Sequence, residues 1–509
     1  MPAQLKRFAA IPAVLLGALA LRLLAGVGFA NYDTLYALVW GQQLARGSTP
    51  QYGIPLAPTP HPLVEALGLA LAPLGPRTAQ DVTVALGFLA LAGCGWVVYR
   101  LGSHWFGRAA GALAAAILLT RVPVLSDGVR AYVDIPYLLL VLAALLVESR
   151  RRRAGAPVLA LLALAGLLRP EAWAFAGLYW VYLVAFNGAR GETGAPEPAG
   201  APGSTGAGPP ASAARPTAPA RSPRELAGLA VLAASAPLAW VLSDALVTGH
   251  PLWSLTNTRH TAHELDRTTG LADVPEYIPR RLGEILRPPV LLAAALGGVL
   301  SVRLLWPRAR LLAAAGALAV VVFAAFATAG LPINTRYAFL AAAILCVFAG
   351  AGVFGWTRLA RDDRRRRPWM LAGAVLALAL LAYAPAQYRS AHSELRSLAR
   401  QQRIQDDLLA LVDDGALALR CGPVGVPNHR PIPLLALRLR TSPANVLSAQ
   451  VRRLTHGTYV DPANATVARD YTLDRHDPHP LVASVPPGFA PTRANRSWQL
   501  YERCVARAG

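Results

Sequence analysis

Long apolar runs recur along most of this chain, and short arginine-rich clusters separate them. A helix needs about 17 to 25 mostly apolar residues to cross the hydrocarbon core of a bilayer. On that measure the pattern predicts about eleven membrane-spanning helices. They fall near 9–29, 81–100, 109–125, 132–148, 155–168, 171–187, 225–247, 288–305, 310–329, 337–356 and 368–386. The stretch 62–75 is apolar but only about fourteen residues long, which suits an interfacial or re-entrant helix better than a crossing. Lys6 and Arg7 precede the first run, which ends Gly28-Phe29-Ala30. That is the outline of a signal peptide, but the many later runs favour an uncleaved first helix.

Polar segments interrupt the runs at 30–61, 188–224, 248–287 and 387–509. The second is rich in Gly, Ala, Pro and Ser and reads as a disordered linker. Arginine clusters mark one side of the membrane: Arg150 to Arg153, Arg308 with Arg310, and Arg358 through Arg367. The positive-inside rule puts them in the cytoplasm. The N-terminus and the linker then lie inside, and the loops 30–61 and 248–287 and the tail lie outside. A full crossing at 62–75 would invert everything downstream. The reading is therefore an α-helical polytopic protein of the plasma membrane, with a transmembrane domain over 1–386. An extracytoplasmic domain follows over 387–509, where a helical stretch (Ser390 to Asp414) and short strands predict a small α/β unit.

Composition sharpens this picture in three ways. Hydrophobic residues make up 54% of the 509 positions, more than separate soluble domains would carry. The formal charge of +21 comes from arginines at the ends of apolar runs, with no basic stretch interleaved with aromatics, so nucleic acid is not the partner. The only lysine is Lys6, so arginine and histidine must supply any basic chemistry. Cys94 and Cys346 sit in apolar runs as packing residues, whereas Cys421 and Cys504 fall in the tail. An extracytoplasmic tail would favour a bond between them. No Cys/His cluster indicates a metal site.

Ionisable residues beside the outer ends of spans are costly and mark candidate function. Asp33, in Tyr32-Asp33-Thr34-Leu35-Tyr36, follows the first span by a few residues. It can cap a helix or serve as a general base. Asp134 stands at the outer end of the fourth span, one turn after Arg130. It can form a local pair with Arg130 or share a pocket with Asp33. Arg169-Pro170-Glu171-Ala172-Trp173 is either a membrane-interface anchor or part of that pocket. Outer arginines run against the positive-inside pattern, and the planar guanidinium fork suits phosphate oxygens. Arg259 and His260 in the second outer loop, and Arg336-Tyr337 before the tenth span, are candidates for an anionic lipid headgroup.

The segments Tyr32-Asp33, Tyr36, Gly47, His61-Pro62-Leu63, Arg130, Asp134-Ile135-Pro136-Tyr137, Arg169-Pro170-Glu171-Ala172 and Asn334-Thr335-Arg336-Tyr337 resemble, over roughly 1–360 in layout, the GT-C glycosyltransferases. Within them the chain looks most like the dolichyl-phosphate-mannose protein mannosyltransferase-like and aminoarabinose transferase-like groups. The resemblance implies a mannose- or pentose-like sugar donated by a polyprenyl phosphate in the membrane, and a glycan, lipid or protein acceptor. It implies inverting transfer, with Asp33 acting on the acceptor hydroxyl, Asp134 supporting it, and Arg259 and Arg336 holding the phosphate. Tyr32, Tyr36, His61, Arg130, Glu171, His260 and Tyr337 would line the substrate. Two departures concern the acceptor: the family often has an acidic pair at Tyr32-Asp33 and a Pro-Pro turn at His61-Pro62. A transporter or flippase of lipid-linked sugars is the rival reading, although no internal repeat is visible.

Overall fold

The computed structural model describes residues 10–187, 220–472 and 484–504. The expected linker lies outside them over 188–219, and Ser222 caps the next helix through Glu225 N. The fold is mainly helical. α1 (Ala10–Ala25) leads to α2 (Tyr32–Ala45), α3 (Pro62–Leu71) and α4 (Pro76–Phe106). Then come α5 (Arg108–Thr120), α6 (Val122–Val129), α7 (Asp134–Arg150), α8 (Ala156–Gly166) and α9 (Glu171–Ala185). The second half holds α10 (Pro223–Thr248), α11 (Trp253–Glu264), α12 (Val274–Leu286), α13 (Pro288–Leu304) and α14 (Trp306–Thr328). α15 (Phe339–Phe354) and α16 (Arg366–Asp413) complete the bundle.

Five stretches are long and apolar enough to cross a membrane: α4, α10, α14, 335–358 and α16. Two more expected crossings are bent helix pairs, α5 with α6 at 65° and α12 with α13 at 110°. The other four expected crossings fall on helices of 16, 17, 11 and 15 residues. By length and composition the described residues thus give five crossings, or seven if each bent pair is one, rather than eleven. The polar loop 248–287 is not irregular, since α11 and α12 occupy it. The last expected crossing and the helical stretch expected at the start of the tail are one helix. α16 runs 48 residues through Pro385 and carries one rigid axis from the apolar bundle into the tail.

The tail forms a five-stranded mixed sheet in the order β2-β1-β3-β5-β4. Its strands are β1 (Val424–Val426), β2 (Val446–Ser448), β3 (Gly457–Pro462), β4 (Ala490–Ala494) and β5 (Trp498–Arg503). β1 is parallel to both neighbours, while β5 runs antiparallel to β3 and β4. A bond joins Cys421 to Cys504, whose Cα atoms lie 4.6 Å apart.

The tail does not hang free. Its core is shared with the first polar loop: Tyr36, Leu38 and Trp40 of α2 pack in one cluster with Val424, Leu435 and Trp498. Arg46 donates to the Arg440 carbonyl at 2.8 Å, and Arg77 pairs with Asp413 at 3.0 Å. α2 and α3 approach so closely that a Cβ at Gly41 would meet the Gly68 backbone. This contact fixes the first loop, and with it Asp33, against the bundle.

Candidate active site

A cavity of about 910 Å³ opens between the bundle and the tail. It is lined from α2, α6, α9, α10, α11, the α12–α13 bend, the turn before α15, α16 and the sheet domain. Local sequence sets how each side chain enters it. Asn31, not Asp33, caps α2: its Oδ1 accepts from Asp33 N at 2.8 Å and Thr34 N at 3.1 Å. A short polar side chain in extended backbone suits that task. The cap frees the Asp33 carboxylate, which accepts from Arg336 Nη1 at 3.1 Å through Oδ2.

Of the two readings of Asp134, the local pair with Arg130 does not form. Ala131 has φ 52°, which ends α6 before Asp134 opens α7, so the two residues no longer share a helix face. Arg130 pairs instead with Asp127 at 3.0 Å and donates to Ser126 Oγ at 2.9 Å. Asp134 is 2% exposed and does not line the cavity. It lies behind the wall, where it pairs with Arg169 and stands 3.8 Å from Arg336 Nη1. Arg169 also donates through Nε to both oxygens of Glu171, at 3.1 and 3.2 Å. Aromatic faces close the network. The Arg336 guanidinium lies 5.4 Å from the Tyr132 ring and 5.8 Å from Tyr337, and that of Arg169 lies 4.0 Å from Tyr337.

Tyr32, His61, Arg130, Glu171, Arg336 and Tyr337 all line the cavity with Asp33. Burial pushes the His61 imidazole down to about 4, and Asp33 opposes this only in part, so the ring is neutral. Tyr36 is fully buried beneath Tyr32, their ring centres 5.0 Å apart. Arg259 and His260 are not brought in. Arg259 donates to the Ala329 carbonyl, and His260 is exposed and pairs with Glu264 at 3.1 Å. Both point away because the loop folded into a helix, whose opposite face carries Thr258, Thr261 and Leu265 toward the cavity.

Two lining arginines were missed from the sequence, Arg287 and Arg430, and Arg267 of the second outer loop lines the cavity with them. Among the described residues Arg267 and Arg287 have no carboxylate in ion-pair range. Arg287 occupies the α12–α13 bend with φ 66°, a conformation that costs a non-glycine residue about 1–3 kcal/mol. A lone arginine before Pro288-Pro289 was the available signal. Among the described residues, the one group of His, Cys, Asp or Glu side chains close enough to share a cation is Cys421, Glu502 and Cys504, and its sulfurs are bonded to each other.

No family model and no curated protein sequence matches the chain. Among solved structures, the aminoarabinose transferase ArnT of Cupriavidus metallidurans, bound to undecaprenyl phosphate, is similar at a TM-score of 0.51. The chain shares its fold with ArnT. The match covers 100% of both chains at 13% identity. ArnT is a GT-C enzyme, the class whose motifs the sequence resembles. With its apolar helices, the fold makes this a multi-pass membrane protein.

Proposed function

We propose that the protein is a membrane glycosyltransferase that moves a sugar from a polyprenyl phosphate to a hydroxyl of an extracytoplasmic acceptor, with inversion. The observation that carries this is the Asp33–Arg336 pair on the wall of a large cavity between apolar helices and a polar domain. A polyprenyl donor keeps its tail in the bilayer, so its phosphate must be met at such a boundary. The acceptor oxygen attacks the anomeric carbon while the bond from that carbon to the phosphate oxygen breaks. The hydroxyl proton passes to Asp33, and the electron pair leaves with the polyprenyl phosphate. Oδ1 of Asp33 takes no hydrogen bond from the described residues and is the oxygen for that proton.

Asp134 is a positioning residue here. From behind the wall it holds Arg336 and Arg169 in fixed orientations, so the site needs no reorganisation during the reaction. The leaving phosphate meets Arg267 and Arg287, which have no carboxylate in ion-pair range among the described residues, with Arg336 at the reacting end. This replaces Arg259 as the phosphate ligand. The cytoplasmic N-terminus and the extracytoplasmic tail belong to the same reading, and the bond between Cys421 and Cys504 in the tail fits an oxidising compartment.

The test is transfer from a radiolabelled polyprenyl-phosphate sugar by the full-length protein in detergent, compared with Asp33→Asn. Equal label transfer by the two proteins would end the proposal.

A further inference from the structure

One wall of the cavity belongs to α16 and the sheet domain: Glu394, Gln401, Gln405, His429, Arg430 and Tyr471. α16 is anchored at three levels two turns apart. Gln387 donates to the Thr120 carbonyl at 2.6 Å, Glu394 accepts from Ser126 Oγ at 2.8 Å, and Gln402 accepts from Gly28 N at 3.0 Å. Spacings of seven and eight residues keep these groups on one helix face. The wall is therefore held in register with Asp33.

Gln401 and Gln405 are different. Neither makes a side-chain hydrogen bond among the described residues, although both line the cavity and Gln405 is only 9% exposed. Their amides face the cavity and are open to water or to a ligand. Arg430 lines the same wall, and Tyr32, packed edge-on against His429 at 5.4 Å, presents an aromatic surface. Planar amides and guanidinium groups take adjacent hydroxyls in pairs, and aromatic faces pack on sugar rings.

Charge selects among acceptors. Among the described residues the cavity is lined by six carboxylates and six guanidinium groups, and Asp134 stands behind them. The formal charges leave no positive surplus before the donor phosphate arrives. A second phosphate, on an anionic acceptor, would enter without compensation in a region of low dielectric. An uncharged polyol adds no such cost.

We propose that α16 and the C-terminal domain form an acceptor subsite for an uncharged glycan, with Gln401, Gln405 and Arg430 binding its hydroxyls opposite Asp33. This rests on the sugar-transfer reading. The test uses the full-length protein, a radiolabelled polyprenyl-phosphate sugar, and two acceptor probes: a set of methyl glycosides and vesicles of phosphatidylglycerol. Release of label to water by the native protein, lost in Asp33→Asn, reports on the transfer reading separately from the acceptor.

The expected result is transfer to a methyl glycoside, with Gln405→Ala and Arg430→Ala each raising its KM about five- to tenfold, the loss of one hydrogen bond, and the effect carried by KM rather than kcat. Arg430→Lys, which keeps the charge but not the fork, guards against a folding defect and should fall between. Transfer to the phospholipid instead of the glycosides, or an acceptor KM that none of the three substitutions moves, would overturn the subsite. If the native protein neither transfers nor releases label, the sugar-transfer reading fails and the subsite falls with it.

Discussion

Arg336 and Asp33 lie 303 positions apart in sequence and pair at 3.1 Å on the cavity wall. The same guanidinium nitrogen stands 3.8 Å from the buried Asp134. One arginine thus joins an acid that faces the cavity to an acid that does not, and this gives a physical basis for different roles of the two. Asp33 can reach a substrate. Asp134 can only act through the groups it holds.

That division predicts different kinetics for the two acids. Asp33→Asn keeps the shape of the side chain but cannot take a proton. It should lower kcat about 10²- to 10⁴-fold, the range for loss of a general base, while binding of the labelled donor persists. A drop confined to KM would remove Asp33 from the proton path.

Asp134→Ala should act on stability first. It would leave Arg169 and Arg336 with one carboxylate fewer in a buried network, and breaking such a pairing costs about 3–5 kcal/mol. Thermal unfolding in detergent should show a clear loss, with Asp134→Asn less affected than Asp134→Ala. An unchanged melting temperature for Asp134→Ala would mean that the network does not hold the wall.

Much of this arrangement was legible in the sequence, and what was not has local causes. Off-pattern outer arginines and acids at span ends pointed to Asp33, Arg130, Glu171 and Arg336, because a charge at that depth needs a reason. The pairing of those residues was not legible. Ala131 adopts a left-handed conformation that no side-chain pattern announces, and it reassigns Arg130 from Asp134 to Asp127. The loop 248–287 read as polar coil, yet its helices turn Arg259 outward and bring Arg267 inward. α16 also runs on through Pro385, where a proline removes one backbone hydrogen bond, so the bundle and the tail share a helix that the apolar pattern does not announce. The count of crossings suffers for a related reason: bent and short helices carry the same apolar signal as full ones.

The C-terminal domain should depend on its cross-link. The bond between Cys421 and Cys504 closes a separation of 83 residues. The chain-entropy relation gives about 4–5 kcal/mol for a loop of that size. Cys421→Ser should therefore make the tail sensitive to limited proteolysis while the bundle stays folded. Non-reducing mass spectrometry should find the linked peptides in the native protein. Two free thiols would argue against both the bond and an oxidising location.

His61 supplies a pH dependence whose sign follows from its burial. Its imidazole sits at about 4 in the folded protein, against an ordinary value near 6.5 in the unfolded chain. The folded state therefore binds fewer protons than the unfolded one between these limits. Stability from this group is fully present above about 6.5 and is lost as pH falls toward 4. Thermal unfolding in detergent, followed from pH 7.5 to 4.5, should show a falling midpoint for the native protein and a shallower fall for His61→Asn, which cannot charge. Because His61 borders the cavity beside Asp33 and Trp240, with its ring 6.0 Å from the tryptophan, the same substitution should leave an acid-tolerant fold whose donor affinity is altered. Parallel curves for the two proteins would show that His61 is already solvated and that the acid response comes from elsewhere.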